Sequence, residues 1–275
     1  MPELPEVETI VRGLRPLVRE RRITGVWTSG LPLHLRRSVD ARGLKRIAIG
    51  RVIADVRRLG KYILLGLRGD ADAGVIVHLG MTGRLRVQSA RTARVPHTHV
   101  VLSLAGGDEL RFSDPRRFGW VEPAAVFADS TSLARLGPDP LSQLDETALA
   151  AALAGVRAPI KAFLLDQHRI AGLGNIYVSE ALFRARIPPT ARAGRLRARA
   201  PELLAAIRAA LENAIDLRGT TLRDYVGADG VPGDNASALL VYGRAGDPCT
   251  VCGGPIRRRV DGGRATFYCP KCQRR

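Results

Sequence analysis

The spacing of apolar residues predicts one helix at the start of the chain and a series of strands after it. From Pro5, apolar residues recur at helical spacing as far as Leu17, and Pro16 is expected to kink or end this helix. Short runs rich in β-branched residues follow, separated by glycines or charged turns, as is typical of strands. They cover residues 23–27, 51–56, 62–67, 75–79, 99–104 and 109–112. Six or more antiparallel strands behind one helix predict a β-sandwich of roughly 130 residues.

The second half of the chain has a helical pattern and begins after a linker at residues 133–140, which is rich in glycine and proline. Residues 184–199 hold six arginines and no acid, which we interpret as a solvated loop between helices rather than a contact surface. Residues 219–238 are glycine-rich and aperiodic, so we predict a mobile loop there. Apolar residues recur at helical spacing in residues 145–153, 159–167, 176–185 and 201–217.

The chain carries a large excess of positive charge. Its 275 residues contain 43 Lys and Arg against 26 Asp and Glu, which gives a net charge of +17. Such a charge indicates a polyanionic partner, with nucleic acid as the first candidate and an anionic membrane surface as the second. No apolar run approaches the ~18 residues of a membrane span, and the N terminus lacks the layout of a signal peptide. We therefore expect a soluble, cytoplasmic protein that does not enter the membrane.

All four cysteines lie near the C terminus, in two Cys-x2-Cys pairs. Cys249 and Cys252 are separated by sixteen residues from Cys269 and Cys272, a spacing that places four thiolates around a β-hairpin. We predict one structural Zn²⁺ at these four cysteines, with redox-active thiols as the alternative. The residues between the pairs include four arginines and one acid, and Arg264 near the hairpin tip is placed to meet a phosphate.

The first nine residues contain three acids and no base, which runs against the charge of the whole chain. Removal of Met1 would leave Pro2 with a free secondary amine, and an α-amino group with its ordinary pKa near ~8 is partly neutral at pH 7. Such an amine can attack an electrophilic carbon and form an iminium. Glu6 and Glu8 are also explained as acids in the first turn of a helix, and an inert chain end is the alternative. Glu3 precedes the helix beside the amine and is the candidate catalytic acid.

Two loops of the β-rich half place large apolar side chains where a turn would expose them. Met81 lies in a turn between two glycines, and Phe118 follows Arg116 and Arg117. An exposed methionine with a neighbouring aromatic wedge can fill a duplex after a base has been pushed out. Ordinary packing of each loop is the alternative.

The segment Gly172-Leu173-Gly174-Asn175 indicates a tight turn between two helices. We predict that Asn175 caps the second helix and that the N–H groups at the start of this helix form an anion site. A purely structural turn in a helical bundle is the alternative.

The order and spacing of these motifs resemble those of the bacterial formamidopyrimidine-DNA glycosylases over the whole chain. The resemblance implies an α+β fold, with an N-terminal antiparallel β-sandwich domain at residues 1–132 that carries the N-terminal helix. After the linker at 133–140, it implies a helix-two-turn-helix domain at 141–238, whose loop at 219–238 covers the lesion, and a zinc-finger β-hairpin at 239–275. The motifs that carry it are Pro2-Glu3-Leu4-Pro5-Glu6-Val7-Glu8, Gly60-Lys61-Tyr62, His78-Leu79-Gly80-Met81, Asp114-Pro115-Arg116-Arg117-Phe118-Gly119, Gly172-Leu173-Gly174-Asn175-Ile176-Tyr177 and the four cysteines.

The function implied by the resemblance is that of a monomeric DNA glycosylase and abasic-site lyase acting on oxidised purines in duplex DNA. Pro2 would attack C1′ of the damaged nucleoside, and Glu3 would protonate the opening sugar. Lys61 would donate a proton in β-elimination, and Arg264 would act in δ-elimination or hold the phosphate. The implied DNA contacts are His78, Met81, His97, Arg116, Phe118, Arg157, Lys161 and Asn175, of which Met81, Arg116 and Phe118 form the intercalating triad.

Two features bear on the choice of lesion. Leu4 favours the purine-lesion branch, because the endonuclease VIII type, which removes oxidised pyrimidines, typically has Gly there. Many relatives have an aromatic after the Gly-x-Pro-Gly of the lesion-covering loop, where this chain has Asp234 and Asn235. An oxidised-pyrimidine glycosylase is therefore one alternative. A non-catalytic zinc-finger DNA-binding protein is the other, although such a protein gains nothing from the acids beside Pro2.

Overall fold

The structure is a computed structural model that describes residues 2–34, 38–69, 72–222 and 225–274. The chain divides into two compact units. The first comprises Met1–Ala134 and Arg218–Gly233, and the second comprises Arg135–Leu217 and Asp234–Arg275. Most of the loop that the sequence analysis assigns to the helical domain therefore packs with the N-terminal strands.

The first unit is built from two antiparallel sheets and two helices, which confirms the predicted fold class. Its helices are α1 (Leu4–Val18) and α2 (Ala41–Ala48), and its strands are β1 (Ile23–Thr28), β2 (Ile53–Leu59), β3 (Tyr62–Leu67), β4 (Gly74–His78), β5 (Arg84–Ser89), β6 (Thr98–Leu104), β7 (Asp108–Ser113) and β8 (Trp120–Ala124). One sheet has the order β1-β6-β7-β5, and the other has the order β2-β3-β4-β8. Both sheets and α1 contribute side chains to one apolar core.

Helix α1 forms where the apolar spacing predicts it. Val7, Ile10 and Leu14 are buried in the core on one face of the helix. Pro16 does not end the helix, which continues to Val18. A proline so close to the C terminus removes one N–H from the last turn and leaves the rest of the hydrogen-bond ladder intact.

The apolar pattern does not predict β5, β8 or α2. Strands β5 and β8 lie at the edges of their sheets. An edge strand tolerates polar side chains and proline, and these weaken the strand pattern in the sequence. Strand β5 carries Arg84 and Arg86, and β8 contains Pro123.

The second unit is helical and ends in a β-hairpin. It contains α3 (Glu146–Leu153), α4 (Ile160–Leu165), α5 (Asn175–Arg184), α6 (Ala200–Asp216), β9 (Arg257–Asp261) and β10 (Arg264–Tyr268). Helix α5 packs against α6 and β10. Phe183 of α5 shares a buried cluster with Cys249, Ile256 and Phe267, which fixes the hairpin region to the helices. Across the described ranges, none of the helices is both long and apolar enough to span a bilayer.

Candidate active site and nucleic-acid interface

The start of the chain forms a buried acidic cluster. Pro2 is buried, and Glu3 and Glu6 are only 3% and 1% exposed. Glu3 is the residue that caps α1, and its backbone N–H donates to Oε2 of Glu6 at 2.8 Å. Glu6 is thus a structural carboxylate that orders the backbone of the two candidate catalytic residues.

Glu6 also joins the N terminus to the segment 218–233. Its Oε1 accepts the backbone N–H of Thr220 at 2.8 Å. The hydroxyl of Tyr225 donates to the backbone oxygen of Arg218 at 3.1 Å, and burial raises the pKa of this hydroxyl, as does the nearby Glu6 carboxylate. One carboxylate therefore bonds to both the candidate nucleophile region and the segment predicted to cover a lesion.

Strand β5 contacts the same segment through Arg86, whose guanidinium donates to the backbone oxygen of Asp229 at 3.2 Å. The Asp229 carboxylate accepts from the backbone N–H of Val231 and pairs with Arg218. The hydrogen bond from Val231, together with the Arg218 pair, lowers the pKa of Asp229 despite partial burial. Most of the predicted mobile loop thus has specific partners in the first unit, although Arg223 and Asp224 lie outside the described residues.

Lys61 lies in the two-residue turn between β2 and β3 and is 7% exposed. Gly60 has a φ of +55°, the left-handed value that such a turn needs. Arg58 donates to the Glu8 carboxylate of α1 at 2.9 Å and to the backbone oxygen of Gly60 at 3.3 Å. Arg58 therefore ties the turn that carries Lys61 to the first turns of α1.

Asp114 connects the two loops that carry the predicted intercalating side chains. Its carboxylate is fully buried and accepts from the hydroxyl of Thr82, from the N–H of Gly119 at 2.8 Å and from the N–H of Arg116 at 3.2 Å. The backbones of the two loops meet at Gly80, where an added Cβ would lie 2.4 Å from the N of Gly119. One acid thus sets the geometry of both loops.

The predicted intercalating side chains point away from the core. Met81 and Phe118 are 39% and 42% exposed, and the Arg116 guanidinium lies over the Phe118 ring at 4.6 Å. These residues belong to one unit, so the structure brings the predicted triad together on adjoining loops.

His78 supports these loops from inside the unit. Its ring stacks on Trp120 with centroids 4.2 Å apart, and the Trp120 ring also lies 4.4 Å from the ring of His34. Burial, together with the nearby Lys61 and His34, lowers the pKa of His78 to about 3. The neutral ring accepts the N–H of Gly80 at Nδ1, so Nε2 carries the proton. The geometry gives His78 a positioning contact to the Met81 loop.

His97 lines a basic cavity of about 300 Å³ together with Arg84, Arg86 and Arg111. Its φ is +63°, and the loop before it is held by the buried Arg111. The Arg111 guanidinium donates to three backbone oxygens between residues 89 and 93 and to the Glu109 carboxylate. The cavity surface is therefore cationic and preorganised.

In the second unit, Asn175 does not cap α5 as predicted. Gly174 occupies the N-cap, and the Asn175 amide donates to the backbone oxygen of Ala265 in the hairpin at 2.8 Å. Lys161 donates to the same oxygen at 2.9 Å and to the hydroxyl of Thr266 at 2.6 Å. A buried amide or ammonium needs hydrogen-bond partners, and here the hairpin supplies them. Both residues therefore hold the hairpin in place.

Arg157 and Arg264 are exposed. Arg157 follows the turn at Gly155, and Arg264 begins β10 directly after Gly262 and Gly263, which have φ values of +55° and +74°. Arg264, Lys161 and Arg259 line a cavity of about 570 Å³.

The four cysteines form one metal site. Their sulfurs all lie within 4.8 Å of one another, and the Cys249–Cys272 and Cys252–Cys269 pairs are 3.9 and 3.5 Å apart. Burial and the neighbouring thiols raise the pKa of Cys272 to about 12. Burial opposes ionisation of Cys249 too, but the N–H groups of Val251 and Cys252 lower its pKa to about 7. A divalent cation would relieve the repulsion among four thiolates, so the donor set fits one Zn²⁺ held structurally.

Several supporting residues escape prediction from the sequence. Asp114 and Glu6 lie inside motifs, yet only the structure shows that their carboxylates bind backbone N–H groups. Arg58, Arg111 and Trp120 give no local signal, because their partners are distant in sequence. A buried charge can be recognised only when its burial is known.

Comparisons with known proteins cover the whole chain. Family models match at residues 1–121 (formamidopyrimidine-DNA glycosylase N-terminal domain), 136–226 (formamidopyrimidine-DNA glycosylase H2TH domain) and 246–275 (zinc finger found in FPG and IleRS). The chain is 48% identical over 279 residues to the formamidopyrimidine-DNA glycosylase of Rhizorhabdus wittichii, with both chains fully covered.

Solved structures agree with the sequence comparison. The MutM (Fpg) protein of Thermus thermophilus superposes with a TM-score of 0.86 at 41% identity, covering 99% of this chain and 98% of that one. A point mutant of the Lactococcus lactis enzyme, solved in complex with a Fapy-dG containing DNA, superposes with a TM-score of 0.87 at 32% identity over the full length of both chains.

Proposed function

This chain belongs to the formamidopyrimidine-DNA glycosylase family, and from that premise we propose that it excises oxidised purines from duplex DNA and then cleaves the abasic site. The observation that carries the proposal is the buried Pro2-Glu3 pair at the start of α1 in a chain of net charge +17. A chain that only binds DNA has no use for buried acids at that position, because they oppose its attraction for phosphate.

The first chemical steps would use Pro2 and Glu3. With Met1 removed, the Pro2 nitrogen forms a bond to C1′ as the glycosidic bond breaks, and the base leaves with the bonding electrons and takes up a proton. The nitrogen then loses its own proton. Glu3 protonates O4′ as the C1′–O4′ bond breaks, and the nitrogen lone pair completes the iminium. The hydrogen bond from the Glu3 N–H to the Glu6 carboxylate would hold the backbone of Pro2 and Glu3 in place during these steps.

Strand cleavage would follow from the same iminium. Loss of a proton from C2′ expels the 3′ phosphate in β-elimination, with Lys61 as the proton donor. Loss of a proton from C4′ then expels the 5′ phosphate in δ-elimination beside Arg264, whose guanidinium stays charged and so would hold the phosphate. The turn at Gly60 and the Arg58 bridge support the role of Lys61, because they fix its backbone against α1.

Damaged duplex DNA is the proposed partner, and Lactococcus lactis relatives have been solved with Fapy-dG containing DNA. Met81 and Phe118 would fill the space left by the extruded nucleotide, and Arg116 would read the orphaned base. Glu6 and Arg86 would hold the segment 218–233 near the lesion. The other residues proposed to contact DNA directly, or to shape the surface that does, are His78, His97, Arg157, Lys161 and Asn175.

The test is reductive trapping. Sodium borohydride should fix the protein covalently to an 8-oxoguanine duplex, because it reduces the iminium to a stable amine. A form that retains Met1 should lose trapping by at least about 100-fold, because its Pro2 nitrogen is an amide and cannot act as a nucleophile. Pro2→Gly should also trap less, because it replaces the secondary amine with a primary one. Leu17→Ala, at the exposed far end of α1, is the matched control.

Undiminished trapping in the form that retains Met1 would exclude the Pro2 nitrogen as the nucleophile. A parallel reaction with a thymine glycol duplex distinguishes the lesion classes. Faster excision of thymine glycol than of 8-oxoguanine opposite cytosine would replace the oxidised-purine proposal with an oxidised-pyrimidine one.

A further inference from the structure

The arginine-rich segment between α5 and α6 is an ordered part of the second unit. Residues Ala193–Arg199 form a 3-10 helix rather than the solvated loop that the sequence suggests. The N–H groups of Ala193 and Gly194 donate to the backbone oxygens of Ala158 and Val156 at 2.9 Å, and the N–H of Ile160 donates to the backbone oxygen of Ala191 at 2.7 Å. These bonds fix the backbone that carries the arginines.

Two arginines lie at the start of this helix. Arg192 is its N-cap residue, with extended backbone, and Arg195 lies in its first turn. Both line a cavity of about 470 Å³ with Arg199 and Arg274, and none of the described residues lining it is acidic. We call it the arginine cavity.

One arginine of the cavity is held in place by neighbours outside it. Arg199 donates to the backbone oxygen of Ala185 at 2.7 Å and to the Glu202 carboxylate at 2.8 Å. The Glu202 carboxylate offsets part of the positive charge of Arg199. Arg192, Arg195 and Arg274 are exposed and carry most of the attraction of the cavity for an anion.

The arginine cavity adjoins the larger cavity beside the hairpin. Thr190 lines both. The larger cavity is lined by Lys161, Arg259 and Arg264 and also by the acids Asp166 and Asp261, whereas the arginine cavity has cations alone among its described charged residues. A lone phosphate would need a single cluster, whereas cations spread over two adjoining cavities suit a polymer with a regular charge.

We propose that the arginine cavity binds the phosphodiester backbone of duplex DNA, beyond the phosphate that Arg264 would hold. The proposal rests on the proposed function only in taking DNA as the partner. A membrane surface fits the cavity less well, because interfacial binding requires exposed apolar side chains beside the cations, and Leu196 in the 3-10 helix is buried. Contacts of this kind carry no sequence information, so they add affinity for damaged and undamaged DNA alike.

The test measures how the affinity for an undamaged duplex depends on salt. Each phosphate contact contributes about −0.9 to the slope of log K against log salt concentration. Arg192→Gln with Arg195→Gln should therefore make the slope shallower by about 2. Arg184→Gln with Arg197→Gln removes the same charge from the same segment without touching the cavity, and it should leave the slope close to that of the unchanged protein.

Equal slopes for the two double variants would overturn the proposal, because net charge alone would then explain the effect. Loss of binding to phosphatidylglycerol vesicles in the cavity variant, with an unchanged duplex slope, would also overturn it in favour of a membrane surface. Excision of 8-oxoguanine by the unchanged protein is measured in parallel. Absence of excision would refute the proposed function, whereas the salt slopes would still test DNA binding by the arginine cavity.

Discussion

Buried charged residues in this protein act mainly on the backbone around them. Glu6 and Asp114 are almost completely enclosed, yet each accepts hydrogen bonds from backbone N–H groups at two or more positions. A buried carboxylate is tolerable only when its oxygens are satisfied in this way. Arg58 and Arg111 do the converse and donate to backbone oxygens. The residues proposed to react with DNA are thus held by charges that need not touch it.

Lys161 provides a prediction at the residue scale, because its charge is buried beside the hairpin. Burial lowers its pKa from 10.5 to about 8, with Arg264 and Arg259 also lowering it and Asp261 opposing them. Between those two values the unfolded chain binds the proton that the folded chain has lost, so the free energy of unfolding should rise with pH. Below about pH 8 both states are protonated at this site and the contribution should be constant.

The measurement is urea denaturation of the unchanged protein and of Lys161→Met at several pH values. The stability difference should move in favour of the unchanged protein as pH rises from about 8 to 10. Lys45→Met, at an exposed lysine of α2, should show no such trend. A stability difference that stays constant, or that moves in favour of Lys161→Met over this range, would mean that burial does not lower the Lys161 pKa.

At the scale of elements, short turns and loops carry most of the candidate chemistry. The β2–β3 turn presents Lys61, two loops held by Asp114 present Met81 and Phe118, and the tip of the hairpin presents Arg264. The first three are braced by Arg58 or Asp114, each of which also hydrogen-bonds to a distant part of the chain, Glu8 or Thr82. A loop positioned by a rigid scaffold is the usual way for a fold to combine exposure with precision.

Asp114→Asn should disturb both intercalating loops at once. An asparagine can offer only one acceptor oxygen, and its NH2 group would face N–H donors that now bind the carboxylate. We expect a loss of about 1–3 kcal/mol in the free energy of unfolding. Excision from duplex DNA should also fall more than excision from a single strand, because only the duplex needs the loops to fill the stack.

The matched control is Asp55→Asn, at a half-exposed acid of β2 whose ion pairs with Arg15 and Arg57 are long, at 3.9 and 3.5 Å. It should change stability by less than about 1 kcal/mol. Equal losses on duplex and single-stranded substrates in Asp114→Asn would show that the acid stabilises the fold without positioning the loops.

The cysteine site gives a second prediction for an element. Cys252→Ala should leave three thiolates, which cannot close a tetrahedral site, and should release the metal. Because metal binding is coupled to folding in small fingers, the hairpin should lose its amide-exchange protection and binding to duplex DNA should weaken. Val251→Ala alters the adjacent exposed residue and should retain one zinc per chain. Full protection of the hairpin in metal-free Cys252→Ala would refute the coupling.

At the scale of the whole molecule, the spacing of apolar residues predicts the bounds of helices with one buried face and of an inner strand that is buried on both faces. Helix α1, strand β3 and helix α6 begin and end within a residue or so of the predicted positions. Strands β5 and β8 are not predicted, because an edge strand tolerates the arginines of β5 and the proline of β8, which interrupt the apolar pattern; the other two edge strands, β1 and β2, keep that pattern at residues 23–27 and 51–56. The zinc site can be predicted from the sequence because its four ligands come in two local pairs. The contact between Glu6 and Thr220 cannot be predicted, because the two residues are 214 positions apart and only the fold brings them together.

The net charge of +17 allows a final prediction for the whole protein. Long-range attraction acts on encounter with DNA and is screened over about 8–10 Å at physiological salt, whereas the acidic cluster at Pro2 is buried and screened much less. Raising the salt concentration should therefore lower kcat/KM for a lesion duplex steeply while leaving the single-turnover excision rate at saturating enzyme nearly constant. Pre-steady-state excision across a salt series measures both quantities. A single-turnover rate that falls in parallel with kcat/KM would mean that the surface charge takes part in the chemical step as well as in binding.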